Sequence, residues 1–247
     1  TLNTYTITYN LNGGAVSTAN PTSYNVTTAT FTLNNPSKTG YIFAGWTGSN
    51  GTTAQTSVSI AKGSTGNKSY TANWTANPKT PYKVVHQQMG LDGSTYTTVA
   101  TENLTGTTGA SITPAVKSYT GFTSPSTQTT TIAANGSTVV TYKYTRNKYA
   151  YTLGSGTAVS TSGSTASGSY YYGSTITLKA TVSAGYTWSK WTSSNTGLVG
   201  NQTTANTTFT MPAGAITMTP SATLNTYTIT YNLNGGAVST ANPTSYN

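Results

Sequence analysis

The sequence predicts a mainly β protein, built as tandem small modules of antiparallel strands with little helix. Three observations carry that reading. Nineteen Tyr sit in a chain otherwise rich in Thr, Ser, Asn and Gly; Thr and Tyr favour strands, while Gly and Asn favour turns. Several stretches alternate apolar and polar residues with a period of two, the pattern of a strand with one buried face. Residues 1–25, TLNTYTITYNLNGGAVSTANPTSYN, recur letter for letter at residues 223–247, an offset of 222. No local propensity produces such an identity, so the chain reads as a window of a tandem array: one period and the start of the next.

The first segment, residues 1–76, opens with Tyr5, Ile7, Tyr9 and Leu11 alternating with Thr4, Thr6, Thr8 and Asn10. Asn12-Gly13-Gly14 supplies a turn, because Gly tolerates positive φ. Gly40-Tyr41-Ile42-Phe43-Ala44-Gly45-Trp46 and Tyr70-Thr71-Ala72-Asn73-Trp74 then read as strands. Residues 77–81, Asn-Pro-Lys-Thr-Pro, read as a short stiff linker. The second segment, residues 82–146, starts with Tyr82-Lys83-Val84-Val85-His86 and turns through Asp92-Gly93. It closes with Val140, Tyr142 and Tyr144 on one strand face.

The third segment, residues 149–222, starts with Tyr149-Ala150-Tyr151-Thr152-Leu153. It continues through Ile176, Leu178, Ala180 and Val182 at every second position, and through Gly185-Tyr186-Thr187-Trp188-Ser189-Lys190-Trp191. It ends with Phe209, Met211, Ile216 and Met218. No stretch shows a long helical period, so each module holds at most a short helix or helical turn. At about 65 to 75 residues without disulfides, one core yields only a few kcal/mol. Trp46, Trp74, Trp188 and Trp191 are therefore the expected core anchors, and contacts between neighbours are expected to add stability. Short linkers predict an elongated rod or fibre.

Composition excludes much chemistry. The chain has eleven Lys or Arg, two acids, one His and no Cys, with 5% charged residues and a net charge of +9. Asp92, Glu102 and His86 are all it offers to acid–base catalysis or to metal binding, which need convergent groups. The expectation is no enzyme, no cofactor and no metal. Lys143, Arg146 and Lys148, interleaved with Tyr142, Tyr144 and Tyr149, form too thin a basic face to track nucleic-acid phosphates and read as solvated charges. The net charge would still favour acidic surface polymers, with strong salt dependence. No apolar run approaches the roughly 20 residues of a transmembrane helix, so no membrane insertion is expected in this window.

Through YTITYNLNGG, TGYIFAGW and YTANW, the first segment resembles the internalin-type B-repeat. Through LDGSTY, NLTGTTGASI, KSYTGF and TVVTYKY, the second resembles mucin-binding-protein repeats, while GSYYYGSTITLKATVSAGYTWSKW makes the third similar to divergent B-repeats. The resemblance implies small β-grasp-like modules in tandem on a bacterial surface protein or secreted adhesin. It also makes an internal Lys–Asn isopeptide bond a question for the second segment, with Lys83 or Lys143 as donor, since some surface adhesins carry one beside a buried acid and the other segments contain no acid.

Tyr170-Tyr171-Tyr172 is the clearest candidate for a glycan-stacking surface. In an extended strand Tyr170 and Tyr172 share one face and Tyr171 takes the other, which leaves at least one ring exposed. The competing reading makes the three an edge strand or a contact between modules. The function expected is a stalk or fibre segment of an extracellular adhesin, with neighbouring repeats of the same chain as partners. The alternatives are multivalent binding of glycans or mucin and homotypic assembly with like chains through strand edges.

Overall fold

The computed structural model describes residues 1–247 and contains strands, turns and no helix. The chain forms several small sheets. It divides into two compact units, one of Thr1–His86, Thr98–Val116 and Ser126–Tyr142, the other of Gln87–Thr97, Lys117–Pro125 and Lys143–Asn247.

In the first unit, a five-stranded sheet has the order Ser23–Tyr24, Tyr5–Asn10, Lys68–Ala76, Tyr41–Gly48, Gly51–Gln55. The alternation in Tyr5–Asn10 is realised: Ile7 is buried with Tyr5 and Tyr9 half-buried, and the Thr between them are exposed. The core gathers Ile7, Tyr24, Leu33, Trp46, Val58, Ile60, Tyr70 and Ala72. Trp46 is wholly buried, its Nε1–H donating to Asn35 Oδ1 at 3.0 Å, with Phe43 packed edge-on at 5.5 Å. Burial and the neighbouring Tyr70 push the Tyr9 hydroxyl up to about 12.

The second segment's sheet has the order Phe122–Thr123, Val139–Arg146, Thr80–Met89, Tyr96–Gly106. Val84, His86, Val140 and Tyr142 are among the buried side chains of its strands within the first unit, and Ile132 is buried in that unit as well. The linker is shorter than the sequence suggests. Thr80 and Pro81 already belong to Thr80–Met89, and Thr80 is buried with its hydroxyl 2.6 Å from that of Thr108.

In the second unit, a four-stranded sheet has the order Gly168–Tyr171, Lys148–Leu153, Ile216–Leu224, Tyr186–Ser193. Its core includes Tyr151, Ile176, Leu178, Trp191, Met211, Ile216 and Met218. Burial, with Tyr170 adding to it, pushes the Tyr151 hydroxyl up to about 12.

Two expectations are corrected. The strands are not all antiparallel: Tyr5–Asn10 runs parallel to Lys68–Ala76, and Lys148–Leu153 runs parallel to Ile216–Leu224. In each case the chain between them crosses over and supplies an antiparallel neighbour on the far side of the closing strand, and alternation alone carries no direction. The four Trp also divide. Trp46 and Trp191 are fully buried, whereas Trp74 and Trp188 lie half-buried against the cores, with their N–H groups on Leu11 O and Thr203 O.

Candidate functional site

Gly168–Tyr171 is an edge strand, paired antiparallel with Lys148–Leu153. Tyr170 turns inward, its ring 6.1 Å from Tyr151 and its hydroxyl donating to Ala166 O at 2.8 Å. Tyr171 takes the other face, where Lys148 Nζ stands 4.5 Å from its ring centroid and its hydroxyl lies against Gly93. The strand stops there. Tyr172 begins the turn into Gly173, whose φ is +87°, and so does not share a face with Tyr170. Its ring lies on Gly121, with Phe122 at 6.1 Å. All three rings are half-buried, and the exposed ring expected from strand geometry is not seen. A β period that ends one residue early explains the difference.

The contact around Tyr172 is tightly bonded. Tyr172 N–H donates to Asn147 O at 2.9 Å, and Asn147 N–H donates to Gly121 O at 2.9 Å. Thr123 Oγ1 donates to Asn147 Oδ1 at 2.6 Å. Arg146 is no solvated charge. Its Nε donates to Met89 O and its Nη1 to Tyr172 O, both at 2.8 Å, with the guanidinium 4.7 Å from the Phe122 centroid. A planar fork of donors over an aromatic face is a role Lys cannot fill.

The first unit repeats the plan. Asn77 N–H donates to Gly40 O at 2.9 Å, and Asn77 O accepts from Thr108 N–H at 3.0 Å. A Cβ on Gly40 would stand 2.5 Å from Ala134 O, as one on Gly121 would stand 2.3 Å from the Tyr172 ring. In both places a Gly in the left-handed region, at φ +77° and +80°, precedes an aromatic residue and receives the chain of the following segment. The missing side chain is required twice over, by φ and by the approach. These joints escaped the sequence reading. The signal was present in Gly40-Tyr41 with Asn77 and Gly121-Phe122 with Asn147, but the two members of each pair lie at different spacings.

The titratable groups are placed as follows. His86 is fully buried beside Tyr142, and its Nε2 stands 3.3 Å from Glu102 Oε1, which is partly exposed. Their strands are sheet neighbours, a pairing invisible without the register. Asp92 is exposed in its turn, where its Oδ1 accepts the N–H groups of Ser94 and Thr95 at 3.0 Å each. Those bonds hold its carboxyl down at about 2. Lys83 and Lys143 are both exposed, Lys143 Nζ lying 5.1 Å from the Tyr96 centroid. In the second unit an uncharged groove of about 430 Å³ runs beside Tyr172, Leu198, Met211 and Pro212.

Comparison with known proteins adds two matches. The Listeria-Bacteroides repeat domain matches residues 5–73, and the divergent InlB B-repeat domain matches residues 151–225. The second segment, residues 82–146, lies outside both matches. No curated protein matches the chain. A solved structure titled "The Bacillus anthracis TIE protein" is similar at 11% identity, over 89% of this chain and 50% of that one, with a TM-score of 0.33. The chain thus spans half the length of that structure, and a likeness so distant supports no inference about this chain. Both matched domains are repeats of the kind found in bacterial cell-surface or secreted proteins, and they cover most of the first and third segments.

Proposed function

We propose that this chain is a structural segment of an extracellular bacterial stalk or fibre, and that it holds a distal binding region away from the cell. One observation carries the reading: the same joint, a Gly carbonyl and an Asn backbone clamping the next segment, occurs twice in a chain whose sequence then begins again. A clamp fixed by backbone hydrogen bonds and a close Gly approach resists bending, whereas a polar linker would not. Small β-grasp-type modules would then stack into a stiff rod whose copy number sets reach, with no catalytic chemistry.

Two other readings stand beside it. In multivalent binding of host or environmental glycans or mucin, repetition would turn low affinity into avidity. Tyr170, Tyr171 and Tyr172 are the rings best suited to stack on sugars, and protein contacts already engage them. Lateral pairing of like chains has more direct support. Gly51–Gln55 is a wholly exposed edge strand, GTTAQ, with no charge to discourage pairing, and such edges are templates for a second strand.

Electron microscopy of arrays with known copy number, together with retention on mucin-coated surfaces, separates the readings. A contour length growing by a constant increment per period, with no retention, is the expected result. Saturable retention of this segment would make binding its function, and side-by-side bundles would make it assembly.

A further inference from the structure

The third segment carries half of the same joint. Asn225 N–H donates to Gly185 O at 2.8 Å, and Thr187 Oγ1 donates to Asn225 Oδ1 at 2.6 Å. These bonds reproduce Asn147 on Gly121 and Thr123 on Asn147 Oδ1, with nearly the same distances. Asn147 Nδ2 and Asn225 Nδ2 even stand at 3.4 Å from the hydroxyls of Tyr149 and Tyr227 alike. Gly185 has φ +83° and precedes Tyr186, as Gly121 precedes Phe122. The difference lies in what covers it. A Cβ on Gly121 would meet the Tyr172 ring, whereas one on Gly185 would meet nothing within 4 Å.

The register says which residue belongs there. In the filled joint Lys148 pairs with Tyr171, so the next residues outward, Asn147 and Tyr172, face each other and bond. After Asn225, Tyr227 pairs with Tyr246 and Thr226 Oγ1 donates to Asn247 Oδ1 at 2.8 Å. The residue facing Asn225 is therefore 248, which in an array of period 222 repeats Val26.

We propose that Gly185, Thr187 and Asn225 form a docking seat for the next repeat. Its occupant is the residue after Asn247, which donates its N–H to Asn225 O and lays its side chain over Gly185. The junction between periods is then as firmly clamped as the junctions within one. This inference extends the stalk reading, and its test is local, so either can fail without the other.

The test uses the chain continued by one further period, in which residue 248 is Val, and measures amide hydrogen exchange residue by residue. The amide of residue 248 is expected to exchange at least about 100-fold slower than its intrinsic rate, as a bonded amide in a packed joint does. Gly185→Asn keeps the left-handed backbone, which Asn tolerates, and adds only a side chain over the seat. It should reduce that protection at least about tenfold while the amides of Trp191 and Ile216 keep theirs. Thr187→Val, which removes only the hydroxyl, should act in the same direction more weakly. Exchange of amide 248 near its intrinsic rate, or protection indifferent to Gly185→Asn, overturns the proposal.

Discussion

Residues 1–25 and 223–247 have one sequence and two environments. The local features coincide. Tyr5 pairs with Tyr24 and Tyr227 with Tyr246. Ile7 N–H reaches Thr22 O at 2.8 Å and Ile229 N–H reaches Thr244 O at 2.9 Å; Tyr9 and Tyr231 donate to Pro21 O and Pro243 O, both at 2.9 Å. Asn12 and Asn234 both take positive φ, 48° and 42°. Burial differs, because no counterpart of Lys68–Ala76 lies within residues 1–247. Ile7 and Tyr24 are 3% and 4% exposed, whereas Tyr246 is 56% exposed and Leu233 44%. What the first copy adds is distant in sequence: the parallel strand Lys68–Ala76, Asn67 Oδ1 on Thr6 N–H, and Gly66 O under the Tyr24 hydroxyl. Twenty-five residues thus encode a hairpin, and the core comes from residues some 60 positions on.

Identical substitutions in the two copies sharpen that contrast. Ile7→Ala should cost about 2 to 5 kcal/mol, as large-to-small changes in packed cores do, and Ile229→Ala should cost less, because Ile229 is only half-buried within residues 1–247; denaturant unfolding measures both. Equal costs would show that the second copy is packed like the first. Removal of the Arg146 fork by Arg146→Met should cost about 1.5 to 3 kcal/mol, the range for hydrogen bonds to a charged donor. Arg146→Lys should recover only part of it. A smaller effect comes from the Tyr24 hydroxyl, which donates to Gly66 O at 2.6 Å. Tyr24→Phe should cost about 1 kcal/mol, and Tyr246→Phe nothing measurable.

The smallest effect is one of pH. Folded Asp92 titrates near 2, depressed from 3.8 by the N–H groups of Ser94 and Thr95. A depressed acid contributes stability that is present above its unfolded value and is lost as pH falls from 3.8 through 2. Carbon-detected NMR titration should place its midpoint near 2 in the native chain and higher in Ser94→Pro, which removes the bond that lowers it most. Intact mass checks the cross-link question directly. With Lys83 and Lys143 exposed, the mass should equal that of the unmodified sequence, with no ammonia or water lost.

Period-two alternation made the strands of Tyr5–Asn10 and Thr175–Leu178 legible, because each buries every second side chain. It could not show that the first and last strands of a segment run parallel, since strand direction leaves no mark on alternation. It could not pair His86 with Glu102, which needs the register of two neighbouring strands. The stop of Gly168–Tyr171 at Tyr171 was equally hidden, and it changes what Tyr172 does. The joints were legible in principle, as a Gly before an aromatic residue and an Asn after the closing strand, but only three-dimensional pairing shows that these two signals belong together.

Solution X-ray scattering on one and on two complete periods tests the central claim most directly. A clamped spacer predicts that the maximum dimension roughly doubles, with a cross-section that stays constant. A dimension that grows far less, or a thicker cross-section in the longer chain, would mean that the segments fold back or associate, and would contradict the stalk.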